Sequence, residues 1–125
     1  MAIIRNKIGG VAYLAVNGRN LTLAGDFKYS ANKFSNETKI GRTSVDGYTT
    51  KPVAPFIEIE VRDAGDLLMS DFDGMDGADV VANLANGKTI TGPNMWVVET
   101  QEVDTEESKF KLRFEGRDLI EVPTV

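Results

Sequence analysis

Two stretches of this chain alternate oily and charged residues without a break. In PFIEIEVRD (Pro55 to Asp63), Ile57, Ile59 and Val61 share one parity, and Glu58, Glu60 and Arg62 share the other. In KFKLRFE (Lys109 to Glu115), Phe110, Leu112 and Phe114 oppose Lys109, Lys111, Arg113 and Glu115. Successive side chains of a strand point to opposite faces, so each stretch predicts a strand with one face for a core and one for something polar. What the charged face of the first stretch looks at (solvent, a ligand or another copy) is the functional question.

The rest of the chain is punctuated for β-structure. VAYLAV (Val11 to Val16) has strand length, and NGRN (Asn17 to Asn20) reads as a hairpin turn because Asn-Gly tolerates positive φ. Leu21 to Tyr29 is a second strand candidate. Val80, Ala82 and Leu84 alternate with Asp79, Val81 and Asn83, Asn86-Gly87 turns the chain, and Lys88 to Thr91 returns. Met95 to Val103 gives another strand with the single tryptophan, Trp96, which reads as core. Asp66 to Phe72 is the one helix candidate, with Asp66 as its cap. Ser30 to Ala54 lacks a clear period and is read as a long loop, the kind that is often functional. The expectation is a mainly β fold in one domain, residues 1–125: an antiparallel β-sandwich or small barrel with one short flanking α-helix, and residues 1–10 as an N-terminal arm.

Composition removes several kinds of chemistry. The 125 residues contain no cysteine and no histidine, so thiolate chemistry, disulfides and an imidazole base are absent. Net charge is −5, which repels nucleic acid phosphates at long range. DFDGMDGAD (Asp71 to Asp79) suggests a calcium loop but puts Met75, Asp76 and Ala82 where an EF-hand needs an oxygen ligand, glycine and glutamate. GKT (Gly87 to Thr89) lacks the first glycine of a phosphate loop, because position 82 is Ala82. Glu58 and Glu60 share a face but make a poor glycosidase pair without an aromatic sugar platform. No catalytic residue, metal ligand or cofactor is expected, and the chain reads as a non-enzyme. No apolar run is long enough for a membrane span, and MAIIRNKIGG lacks the pattern of a signal peptide, so a cytoplasmic origin is expected.

The order of motifs is similar to that of a known family. DGYTTKPVAPFIEIEVRD, a short helix, LANGKT, and MWVVETQEVDTEESKFKLRFEG resemble the tail tube protein of Mu-like bacteriophages and prophages, over roughly residues 41 to 117. The block from Asn83 to Gly116 carries the more specific part. The resemblance implies six copies in a ring, and rings stacked into a hollow tube through which the genome passes. It implies a tube built around a tape-measure protein, enclosed by a sheath where the tail is contractile, and joined to tail terminator and baseplate or tip proteins. It places the protein in the virion tail, after assembly in the host cytoplasm. Rival readings are a tube component of a related contractile-injection or secretion machine, and a monomeric ligand-binding β-sandwich.

The tube expectation assigns roles to particular residues. Sheet edges that pair between copies close into one barrel when the rotation fits a whole number of subunits. Ile57, Ile59 and Val61 then pack inward, while Glu58 and Glu60 face either the lumen, where carboxylates repel DNA, or plain outer surface. Lys109, Lys111 and Arg113 are expected on a different face, away from the genome. Within Ser30 to Ala54, Lys39, Arg42, Asp46, Tyr48 and Lys51 are candidate contacts between subunits and rings.

Overall fold

A computed structural model describes residues 10–63, 65 and 68–123. Eleven strands run in the order β1 (Val11–Val16), β2 (Arg19–Asn20), β3 (Leu23–Ser30), β4 (Phe34–Ile40), β5 (Val45–Pro52), β6 (Phe56–Arg62), β7 (Ala78–Leu84), β8 (Thr89–Val98), β9 (Val103–Asp104), β10 (Lys109–Glu115) and β11 (Ile120–Val122). All pairings are antiparallel. The fold is mainly β, with two layers and no closed barrel.

One long strand ties the layers together. The first half of β8 pairs with β7 and with β11, and its last residues, Trp96 to Val98, pair with β10. The β7-β8 register breaks at Gly92-Pro93-Asn94, where Asn94 takes φ 51°, and the change of partner follows Met95, the last residue of β8 paired with β7. A side chain on Gly92 has no room, since a Cβ there comes within 2.2 Å of the Met95 sulfur. Strands that bend and switch sheets make the corners of sandwiches. One layer is therefore β2-β1-β7-β8-β11, and the other is β8-β10-β6-β3 with β9 beside β10.

The core lies between these layers and follows the predicted parities. Ile57, Ile59 and Val61 of β6 and Leu112 and Phe114 of β10 are fully buried, with Phe110 nearly so. They meet Val80, Ala82, Ile90 and Met95 from the opposite layer, and Phe72 closes one end against Phe110, ring centroids 5.7 Å apart. The Asn17-Gly18 turn forms as expected, with φ of 51° and 79°, the signs a type I′ hairpin needs.

Three expectations change. The helix candidate appears as a single 3-10 turn, Met69–Asp71, with the Asp71 carboxylate accepting from the Leu68 amide; the proposed cap Asp66, like Leu67, lies outside the described residues. The N-terminal arm also lies outside them, apart from Gly10. Trp96 is not core: it is half-buried on the outward side of β8 with the Arg117 guanidinium 5.5 Å from its ring, while Met95 is the buried residue. Ser30 to Ala54 is a hairpin, β4 with β5, rather than an irregular loop.

Asp71 and Asp79, both drawn into the calcium-loop comparison, have structural duties. Asp71 pairs with Arg19 at 3.2 Å, and Asp79 accepts from the Asn94 amide at the β8 bend.

Candidate assembly surfaces and family membership

The outward face of the β10-β6-β3 sheet carries Glu58 and Glu60. Register decides what surrounds them. On β10, Arg113 sits opposite Glu58 and Lys111 opposite Glu60; on β3, Lys28 sits opposite Glu58. Arg113 lies 3.7 Å from Glu58 and 3.0 Å from Glu115, and Lys109 lies 3.7 Å from Glu60 and 2.8 Å from Glu107. The nearby carboxylates, Glu107 first, hold the Lys109 ammonium above its usual pKa. Arg113 also rests on the Phe56 ring, 4.0 Å from its centre.

This overturns the expected separation of charges. Lys109, Lys111 and Arg113 share a face with Glu58 and Glu60, because β10 is the direct neighbour of β6. Across the three strands, Asp26, Glu58, Glu60 and Glu115 stand beside Lys28, Arg62, Lys109, Lys111 and Arg113, so the face is mixed and near balance rather than acidic. The side chains of Glu58, Glu60, Lys109 and Arg113 are each only about a quarter exposed. Gly25 is part of the same arrangement: the Glu60 carboxylate occupies the space its Cβ would fill.

The β4-β5 hairpin is a second surface. It forms a sheet of its own, and every residue of both strands is exposed. Cross-strand register sorts it into two faces. Phe34 pairs with Pro52, Asn36 with Thr50, Thr38 with Tyr48, and Ile40 with Val45, which gathers the large apolar side chains on one side. Ser35 pairs with Lys51, Glu37 with Thr49, and Lys39 with Gly47, which gathers the charge on the other. Phe34, Ile40, Val45 and Tyr48 are each about two-thirds exposed or more. An isolated two-stranded hairpin is marginal in water, and an apolar face without a core is a contact surface in waiting.

The hairpin is fixed at its base. The Val53 amide donates to the Lys33 carbonyl, and Lys33 pairs with Asp118. Asn36 and Thr50 share a 2.7 Å side-chain bond along the shaft, and at the tip the Gly41 amide donates to the Ser44 carbonyl. Of the candidate contact residues, Lys39 is on β4, Asp46, Tyr48 and Lys51 are on β5, and Arg42 is in the turn; all are exposed. Asp46 folds over Gly41, where any Cβ would clash with its carboxylate. Phe34, Ile40 and Val45 escaped the sequence reading. Their pattern is diluted by Asn36, Thr38 and Gly47, and only the threonines Thr38, Thr49 and Thr50 hinted at strand.

Against this geometry, the profile of the family described as "Phage tail tube protein" matches residues 5–121. The chain belongs to the phage tail tube protein family. It is a structural component of the virion tail, one of the subunits that self-assemble into a tube. Among solved structures it is similar to Hcp1 from Flavobacterium johnsoniae, with a TM-score of 0.61 and 13% identity over 90% of this chain and 94% of that one. At that identity the likeness concerns the fold alone. No curated protein matches the sequence. Among the described residues, no helix is long and apolar enough to cross a membrane.

Two surfaces of this tail tube subunit stand out. One is the sheet face of mixed charge. The other is the hairpin, whose apolar side is exposed among the described residues.

Proposed function

We propose that copies of this chain join sheet edge to sheet edge into a closed ring, six to a ring as the resemblance to Mu-like tubes implies, and that rings stack into a hollow tube. In this reading the protein performs no catalysis and needs no cofactor. The β10-β6-β3 face lines the bore, and the β4-β5 hairpin reaches onto a neighbouring subunit or ring, with Lys39, Arg42, Asp46, Tyr48 and Lys51 among its contacts. The tube assembles in the host cytoplasm around a tape-measure protein. It meets terminator and baseplate proteins at its ends, and a sheath where the tail contracts.

The hairpin carries this reading. Its apolar face is exposed over its length in the monomer, and burial of apolar surface is the main gain in association. A second copy of a tube-forming protein is the partner always at hand.

The bore works differently from a simple acidic lining. Glu58 and Glu60 act as masks: they engage Arg113 and Lys109, so that these cations have less hold on passing phosphates. A DNA strand gains most of its grip on a protein from unpaired Lys and Arg, through release of its counterions. A balanced, internally paired wall therefore lets the genome slide.

Negative-stain microscopy of the concentrated, purified protein tests the assembly. Hollow tubes of even width are the expected result. Particles that stay solitary at every concentration would contradict it.

A further inference from the structure

The two ends of the β10-β6 ladder carry opposite charge. β6 and β10 pair from Phe56 opposite Glu115 at one end to Arg62 opposite Lys109 at the other, a span of about 20 Å. The hairpin springs from the first end, between Ser30 and Phe56, which are themselves paired. Ser30 to Ala54 holds four cations, Lys33, Lys39, Arg42 and Lys51, against Glu37 and Asp46, a net +2 in a chain of −5, which leaves −7 on the remainder.

The far end is where part of that excess collects. Glu99 to Glu107 holds five carboxylates and no cation. Its second part, β9 and the turn after it, lies against the start of β10, with Val103 opposite Phe110 and Asp104 opposite Lys109. Arg62 donates to the Glu107 carbonyl, which fixes the segment at the Arg62 end of the ladder. Glu102, Asp104, Glu106 and Glu107 are all exposed there.

We propose that the basic tip of the hairpin of one copy docks on the Glu99–Glu107 segment of the next, with Lys39 and Arg42, both near the β4-β5 turn, facing Glu102 and Glu106. The inference rests on the tube reading and names the partner surface within it. A contact between opposite poles of the same molecule is heterologous: each copy keeps one free donor end and one free acceptor end, so association continues along the axis rather than stopping at a pair. It is also polar, which sets every copy in the same direction. The hairpin strands, seven and eight residues long, reach about 25 Å, enough to cross from one subunit onto its neighbour. Complementary charge orients this contact and rejects the head-to-head arrangement, in which two basic arms or two acidic poles meet.

Charge reversal tests the pairing. One variant carries Lys39→Glu and Arg42→Glu; a second carries Glu102→Lys and Glu106→Lys. All four positions are exposed, and circular dichroism establishes that each variant is folded. Pelleting by ultracentrifugation reads assembly. Each variant alone is expected to need at least about tenfold more protein than wild type to pellet, and an equimolar mixture to recover most of the loss, because reversed arms then find reversed poles. Variants that pellet like wild type, or a mixture no better than its parts, overturn the pairing while wild-type tubes leave the tube reading standing. A wild-type protein that never assembles overturns the tube reading, and the pairing with it.

Discussion

The sandwich and the hairpin are built from the same alternating grammar and end differently. In β6 and β10 one parity is sealed between two sheets, and Ile57, Ile59, Leu112 and Phe114 are fully buried. In β4 and β5 register gathers Phe34, Ile40, Val45 and Tyr48 just as cleanly, yet no second layer covers them. The sandwich satisfies its own chain. In the proposed tube, the hairpin is half of a contact whose other half lies on another copy. Stability and assembly should therefore respond to different residues.

The largest separation should come from truncating the core. Leu112→Ala is expected to cost the monomer about 2–5 kcal/mol in urea unfolding, by loss of buried area and the cavity left behind. In a domain with typical marginal stability, assembly then fails because folding fails. The double variant Ile40→Ser, Tyr48→Ser should shift monomer unfolding by no more than about 0.5 kcal/mol, since both side chains are exposed. It should nevertheless raise the concentration needed for tubes by about tenfold or more. A hairpin variant that unfolds the monomer, or one that leaves assembly untouched, would break the contrast.

A smaller effect is expected on the charged sheet face. Glu58→Gln with Glu60→Gln removes partly exposed ion pairs, each worth about 1 kcal/mol or less, so folding changes little. Arg113 and Lys109, each then left with a single carboxylate partner (Glu115 and Glu107), should make tubes retain more double-stranded DNA in a co-pelleting assay, and added salt should reverse the gain. Retention equal to wild type would show that the glutamates do not mask the cations.

The smallest predicted effect concerns a clasp between the layers. The Tyr29 hydroxyl donates to Glu121 of β11 at 2.9 Å, and Lys88 reaches both the tyrosine oxygen, at 3.0 Å, and Glu121. The hydrogen bond from Lys88 lowers the Glu121 pKa from its ordinary 4.5, and the one to Glu121 raises that of Lys88 from 10.5. A depressed carboxyl pKa gives stability that is present above about pH 4.5 and fades as pH falls through the folded value. A raised ammonium pKa gives stability that is present below 10.5 and fades as pH rises beyond it. Glu121→Gln should therefore flatten the acid limb of unfolding measured from neutral pH downward, by a small amount because the groups are partly exposed. An unchanged acid limb would remove the clasp from the account.

Much of the sandwich was legible because alternation and Asn-Gly turns are local signals. Lys109–Glu115 and Phe56–Arg62 fall where the alternation puts them, and Asn17-Gly18 turns where its φ values allow. What the sequence hid is of four kinds. Parity says which residues share a face but not which strand lies alongside, so Lys111 and Arg113 were separated from Glu60 and Glu58, which they directly oppose. Gly92-Pro93-Asn94 reads as a break between two strands, yet a bend lets β8 continue through it and serve both layers. The hairpin reads as a loop in sequence because tertiary burial, the usual cause of a strong apolar period, is missing there. β11 is three residues long, too short for any period to show.

Amide hydrogen exchange over residues 34–52, in free subunits and in tubes of the same preparation, tests the central claim most directly. The hairpin is predicted to exchange fast when free, as a marginal two-stranded ribbon does, and to become strongly protected in the tube, while Ile57 to Val61 stay protected in both. A hairpin that exchanges at the same rate in both states would contradict the claim that a neighbouring copy covers it.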